Sequence, residues 1–261
     1  MARDPGREIV PAVQKLRIQH AKRGRLRFTS HRDFQRAFER ALRRANIPMA
    51  YSAGFSPHPK ISYANAAATG VASEAEYVEI GVVQQVDPDA VCRVLNEVLP
   101  EGFDVLAVVE ARTSDFVARL EASHWKMELP GISDAEITKA VSKFLGESEV
   151  MVERITKSGL RTFDARADVL RMEIQNEQTP QPLVSKDEPD SGQICAILQL
   201  VVRHGTPAVR PDDVLAALTK VAGLVLPYPA RVTRLAQGPL SADGWSVTDP
   251  LDLDRQTAST S

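Results

Sequence analysis

The stretch SHRDFQRAFERALRRANIP, Ser30–Pro48, decides how the rest of the chain is read. Ser30 with Asp33 three residues later is a helix-start signature, a hydroxyl cap followed by a first-turn carboxylate. Phe34, Ala37, Phe38, Ala41, Leu42 and Ala45 recur at i, i+3, i+4, i+7, i+8 and i+11, the apolar stripe of an amphipathic helix. Asn46 suits the stop, and Pro48 cannot continue a helix. Arg32, Arg36, Arg40 and the pair Arg43/Arg44 occupy another face at steps of about 6 Å along the axis.

Working outward, KLRIQHAKRGRLRF (Lys15–Phe28) alternates apolar and basic residues, which predicts extended chain with a turn at Arg23-Gly24. Past the helix come an extended pair, Pro48–Ser52 and Lys60–Ala64, and a strand over Glu76–Val83. A second helix starts at Asp87-Pro88 and ends at Pro100-Glu101-Gly102, before a strand over Phe103–Glu110. The order β-α-β-β-α-β is that of the split βαβ, or ferredoxin-like, motif. The second half repeats it loosely. Strands are expected at His124–Leu129, Glu149–Thr156, Thr162–Gln175, Ile194–Arg203 and Ala230–Leu235, with helices at Ser133–Leu145 and Pro211–Val221. The expected fold is therefore α+β, two ferredoxin-like halves packed side by side. A short extension (1–14) precedes a basic domain (15–112) and a second domain (120–240), the latter carrying a polar loop at 176–193. Residues 241–261 read as a disordered polar tail.

At 261 residues with 43% hydrophobic content, the chain has apolar material for one large core or two small ones. No run approaches the roughly 18 apolar residues of a membrane span. MARDPGREIV has no apolar secretory segment, so a cytoplasmic location is expected. Two cysteines, Cys92 and Cys195, are too few for a disulfide framework, a structural zinc site or an iron–sulfur cluster held by this chain; both are read as buried and inert. No cofactor is expected.

The net charge of -2 conceals an asymmetry. Lys15 to Lys60 holds twelve Lys and Arg against Asp33 and Glu39, a local +10, while the chain from Ile61 onward carries -12. Such a block inside an acidic chain points to a polyanionic partner. The candidate nucleic-acid contacts are Arg25, Arg27, Ser30, His31, Arg32, Arg36, Arg40, Arg43, Arg44, Tyr51, Ser52, Phe55, His58 and Lys60. Arginine forks suit phosphates, and Tyr51 or Phe55 could stack a base. In YSAGFSPHPKISYA (Tyr51–Ala64), Pro57 and Pro59 flank His58 and stiffen the loop. The bland alternative packs Phe55 beneath the loop and leaves the arginines merely solvated. His31 and His58 are also candidates for general acid–base chemistry, but no second group is fixed in register with either. A metal site on His31, Asp33 and His58 converges poorly. Glu74 could orient an arginine of the helix face, and Tyr228, Arg231 and Arg234 read as a lead into the last strand.

The run RLRFTSHRDFQRAFERALRRANIPMAYSAGFSPHPKISYA, followed by GVASEAEYVEI, resembles a radical-SAM-associated bacterial domain of unknown function. The likeness is strong over about Lys15–Val109 and looser to about Leu240, and its pattern is met at Ser30-His31, Glu39-Arg40-Ala41, Gly54-Phe55, Pro57-His58-Pro59-Lys60 and Glu76-Tyr77. NAAAT at Asn65–Thr69 and Arg32 depart from many fused members and look like the stand-alone, actinobacterial-type form, without radical SAM and cobalamin-binding parts. With no CxxxCxxC, cluster and S-adenosylmethionine chemistry is not assigned to this chain. The resemblance implies a radical SAM enzyme or a ribonuclease E/G-type enzyme as a partner. The expectation is an RNA-binding module, for tRNA or rRNA, that presents substrate to a modifying or processing enzyme. The alternatives are a protein adaptor without RNA contact and a metal-independent ribonuclease. Binding is favoured over catalysis.

Overall fold

The computed structural model describes residues 10–53, 55–156, 159–175 and 194–256. These fall into two compact units, one built from 10–70, 74–117 and 251–256, the other from 71–73 and 118–250. Both are mixed α+β with mostly antiparallel sheet pairing. No helix among the described residues is long and apolar enough to cross a membrane.

In the first unit β1 (Gln14–Lys22), α1 (His31–Arg44), β2 (Ile61–Ala64), β3 (Ala72–Val82), α2 (Pro88–Val98) and β4 (Val105–Glu110) follow in sequence. The strand order is β4-β1-β3, with β2 on the far side of β3. The α1 stripe predicted from spacing buries Phe34, Phe38, Ala41 and Leu42 against Leu16 and Ile18 of β1, Val78, Ile80 and Val82 of β3, and Val91 and Leu95 of α2. Ser30 caps α1, accepting from the Asp33 amide at 3.2 Å, and Asn46 adopts a left-handed φ of 53° just past its end. Two expectations need correction. Arg25–Phe28 is not extended: a short 3-10 turn spans Gly24–Phe28, started by Gly24 at φ +52°. Phe28 is exposed, so the apparent alternation Leu26/Phe28 did not mark a buried face. Pro48–Ser52 forms no continuous strand, though it pairs across the loop as expected: Tyr51 bridges Pro59 and Ala50 accepts from Lys60, while Met49 bridges Val82.

In the second unit β5 (Ala122–Pro130), α3 (Asp134–Gly146), β6 (Met151–Thr156), β7 (Gly159–Asp164), β8 (Val169–Gln175), β9 (Cys195–Arg203), α4 (Pro211–Ala222) and β10 (Arg231–Gly238) follow in order. Four strands pair antiparallel as β10-β5-β9-β8, and the start of β3 (Ala72, Ser73) pairs in parallel with β10. Trp125, Met127, Leu129, Leu198 and Leu200 meet Ile137, Phe144, Val214 and Leu218 in its core. The single strand expected over Thr162–Gln175 is two strands. Asp164 closes the turn between them by accepting from the amides of Val150 and Arg166, each at 2.8 Å, and β6 and β7 form a separate hairpin. The loop expected at 176–193 lies outside the described residues.

The expected disordered tail is folded through Gln256. Leu240 bridges Val247, and α5 (Asp252–Gln256) buries Leu251 and Asp254 in the first unit. What anchors α5 is Arg17 in β1, which is 3% exposed. Its guanidinium donates to Asp254 at 2.5 Å, to Glu79 at 3.1 Å and to the Thr113 hydroxyl at 3.0 Å, and lies 4.8 Å from the Phe116 ring centroid. Asp254 also accepts from the amides of Arg112 and Thr113, both at 3.0 Å. Burial alone would raise the Asp254 carboxyl, but the bonds from Thr113 and Arg17 outweigh it and hold the group below the usual range. Asp254→Ala leaves a buried guanidinium short of its counter-charge and is expected to cost about 3–5 kcal/mol, measured by urea unfolding; Asp252→Ala, an exposed neighbour, is expected to be near neutral.

Candidate nucleic-acid interface

The basic block separates into two populations once its partners are traced. Lys15 and Arg17 pair with Glu79, and Arg23 with Glu74 and Asp104. Lys22 is buried and donates to the carbonyl of Ala68 at 3.0 Å. These cations serve the sheet. Glu74 thus holds Arg23, just upstream of α1, and does not orient the helix arginines. Arg32, Arg36, Arg40, Arg43 and Arg44 are all exposed. Their one ion pair with a described residue is the 3.9 Å approach of Arg36 to Asp33. At 3.6 residues per turn they lie within about 120° of arc, and Arg32 to Arg44 spans about 18 Å. Asp33 and Glu39 interleave with them, so α1 carries a net +3 from five arginines and two acids.

At the C-terminal end of α1, residues 45–51 lead into a hairpin-like loop. Its neck is closed by Ser52 N–H to the His58 carbonyl (2.8 Å) and by His58 N–H to Ser52 Oγ (3.0 Å). Lys60 N–H donates to Ala50 and its carbonyl accepts from Gly81, which ties the loop to the end of β3. Phe55 at the tip is fully exposed (101%), Tyr51 is 37% exposed, and His58 and Lys60 face solvent. The alternative in which Phe55 packs beneath the loop is therefore overturned.

Arg25, Arg27, Ser30, His31 and Arg32 sit at the opposite, N-terminal end of α1. Arg27 places its guanidinium 4.9 Å from the ring centroid of Phe28, an exposed aromatic in the 3-10 turn. His31 stands edge-on to Tyr63 at 5.1 Å and 3.1 Å from the Gln35 amide nitrogen. The Tyr63 hydroxyl is buried without a hydrogen-bond partner among the described residues, and burial, with Glu39 nearby, raises its pKa. His31 and His58 lie toward opposite ends of a helix about 20 Å long and form no acid–base pair. His31, Asp33 and His58 do not converge, and no group of three or more metal-binding side chains occurs among the described residues. Both cysteines are half-buried rather than fully buried, and burial pushes each thiol up.

A serine–histidine pair that sequence reading missed lies in the second unit. Ser123 Oγ is 2.7 Å from His204 Nε2, and His204 Nδ1 is 2.6 Å from the Leu120 carbonyl. Since a carbonyl only accepts, Nδ1 carries the proton and Nε2 accepts from serine, the arrangement of a nucleophile and its base. Ser123 is 1% exposed, however, so no substrate reaches it, and the pair locks β5 to the end of β9. The partners are 81 residues apart, with no local signal to join them.

The chain matches the model of a family described as an uncharacterized protein conserved in bacteria (DUF2344) over residues 15–211. No curated protein matches. Among solved structures, one chain of "Crystal Structure of a Cbf5-Nop10-Gar1 Complex" aligns at TM-score 0.46 and 13% identity, covering 91% of this chain and 53% of that one. The present chain thus spans about half the length of that protein.

Burial, and to a smaller extent nearby Arg234, lowers the pKa of His204 despite its bond to Leu120. The unfolded state binds a proton near the ordinary histidine pKa of about 6.5 that the folded state resists, so stability is full above that value and falls with acidification. Thermal melts from pH 7.5 to 5 are expected to show this loss, and His204→Gln is expected to flatten it.

Proposed function

The chain belongs to this uncharacterized bacterial family, and we propose that its first unit is an RNA-binding module for single-stranded segments. The observation that carries the reading is the row of five exposed, almost unpaired arginines on α1, ending at a loop whose tip holds a fully exposed Phe55. Guanidinium forks that spend no hydrogen bonds on described residues are available to phosphate oxygens. A ring in open water gains by covering its face, and stacking on a base does so without sequence preference. A duplex keeps its base faces covered, whereas a single strand offers them. Ser52, His58, Tyr51 and Lys60 form the stiff rim of this surface, and Arg25, Arg27, Ser30 and His31 extend it at the other end of α1.

We read both units as ferredoxin-like. With the β6–β7 hairpin counted as an insertion after α3, each unit is a β-α-β-β-α-β series whose fourth strand lies beside the first and third beside the second, in the orders β4-β1-β3-β2 and β10-β5-β9-β8. The sequence resemblance supplies the protein partner, a radical SAM modifying enzyme or a ribonuclease E/G-type enzyme; our reading adds that the RNA presented to it, in the cytoplasm, is a tRNA or rRNA. Catalysis has less support, since His31 and His58 stand alone and Ser123 is sealed.

Fluorescence anisotropy with a labelled single-stranded 12-mer over a salt series tests the reading. Five phosphate contacts predict a log–log slope of roughly -3.5, and Arg36→Ala/Arg40→Ala/Arg43→Ala is expected to weaken binding and reduce the slope by about 2. No binding by the wild type at low salt, or a slope near zero, would overturn it.

A further inference from the structure

The second unit carries a feature the first unit's role leaves unused. Along β5, Trp125, Met127 and Leu129 point to the helices, so His124, Lys126 and Glu128 line the other face of the sheet. On that face a shallow, open depression with a volume of about 80 Å³ is bordered by His124, Gln199, Arg171 and Glu173, with Trp245 and Ser246 from the segment after β10. Its floor is a polar ladder across three strands. His124 Nε2 is 2.8 Å from Gln199 Oε1, and Gln199 Nε2 is 2.7 Å from Gln175 Oε1. Because an amide oxygen only accepts, His124 donates through Nε2 and its Nδ1 stays an acceptor. Each of these bonds uses part of a group's capacity. Gln199 keeps one N–H and one oxygen lone pair beyond them, a donor and an acceptor side by side.

Trp245 supplies the flat apolar wall and is 52% exposed. It is held in place, since Asp243 accepts from the Trp245 amide at 2.7 Å and from the Ser246 hydroxyl at 3.1 Å, and Ser241 N–H donates to the Ser246 carbonyl at 2.9 Å. Hydrogen bonds from Ser241 and Trp245 hold the Asp243 carboxyl down at about 2, so this clasp persists across ordinary pH. An indole on an ordered segment beside paired amide and imidazole groups, over a recess well below the size of an enclosing ligand pocket, suits one face and one edge of a planar heterocycle with donor and acceptor atoms.

We propose that this depression on the open sheet face of the second unit is a nucleobase-binding site, with Trp245 stacking on the base and Gln199 and His124 meeting its edge. Polar groups of the central strands β5 and β9, with an aromatic beside them from the segment after β10, are a surface of the kind that reads unstacked RNA bases. The inference rests on the RNA reading of the first unit and adds a base contact, in a different unit, to its backbone contacts.

The test uses the full chain, filter binding at fixed salt, and three 12-mers: oligo-uridylate, oligo-adenylate and an abasic ribose-phosphate strand. Trp245→Ala is expected to weaken both base-bearing strands by roughly 5- to 150-fold, the range for losing one stacked base. It should leave the abasic strand and the salt slope unchanged, and Trp245→Phe should restore most of the affinity. Trp245 is half-exposed, and matching thermal melts check that the variants fold. Wild-type affinity of Trp245→Ala for both base-bearing strands sinks the site, and so does an equal loss on the abasic strand. If the Arg36/Arg40/Arg43 variant still loses RNA in that case, the first unit's role stands. Failure of the wild type to bind any strand removes both.

Discussion

A guanidinium buried in the first unit's sheet sets the terms for much of the rest. A guanidinium is a poor guest in a protein interior, so the place of Arg17 in β1 is tenable only with full hydrogen bonding and nearby negative charge. Glu79 comes from β3, Thr113 from the chain after β4, and Asp254 from a helix near the far end of the sequence. The requirement therefore reaches across 237 residues and draws a polar C-terminal segment into the first unit. A hydrophobic residue at position 17 would have needed none of these partners.

The same requirement explains where free positive charge remains. Cations in and beside β1 are consumed internally, by Glu74, Glu79, Asp104 and Asp254 and by the loop carbonyl that Lys22 meets. Those on α1 are not, because a helix packed by one stripe turns its other face to water and has no sheet neighbour to neutralise it. A formal +10 in sequence becomes a narrower surface feature, one helix face and one loop. Free guanidinium groups are what an anionic strand needs. The two acids among the five arginines limit non-specific attraction and favour a ligand that follows the row.

What was legible in the sequence follows from the range of the interactions involved. α1, α3 and α4 were readable because caps and 3.6-residue periodicity act within one or two turns, as Ser30 with Asp33 and Ser133 with Glu136 show. The exposed arginine face came with α1. Misreadings arose where a turn interrupts an apparently extended run. Leu26 and Phe28 alternate with arginines, yet a left-handed Gly24 turns the chain into a 3-10 segment. Thr162–Gln175 looked continuous because nothing local announces that Asp164 will bind two amides and break it. The order of the tail through Gln256 rests on partners distant in sequence, Arg17 for Asp254 and Glu121 for Leu240, so neither that order nor Trp245, one aromatic in a polar run, is announced locally. His204 with Ser123, and Gln199 with His124, meet only through strand register.

The central claim is that RNA lies along α1 and reaches the Phe55 loop. Ultraviolet crosslinking of the full chain to a single-stranded RNA, followed by mass spectrometry of tryptic peptides, tests it most directly. Cleavage after Arg44 and Lys60 releases Ala45–Lys60, which contains Tyr51, Phe55 and His58. The account predicts nucleotide adducts on that peptide, lost in Phe55→Ala. Adducts confined to other peptides, or none above a heparin-competed control, would contradict it.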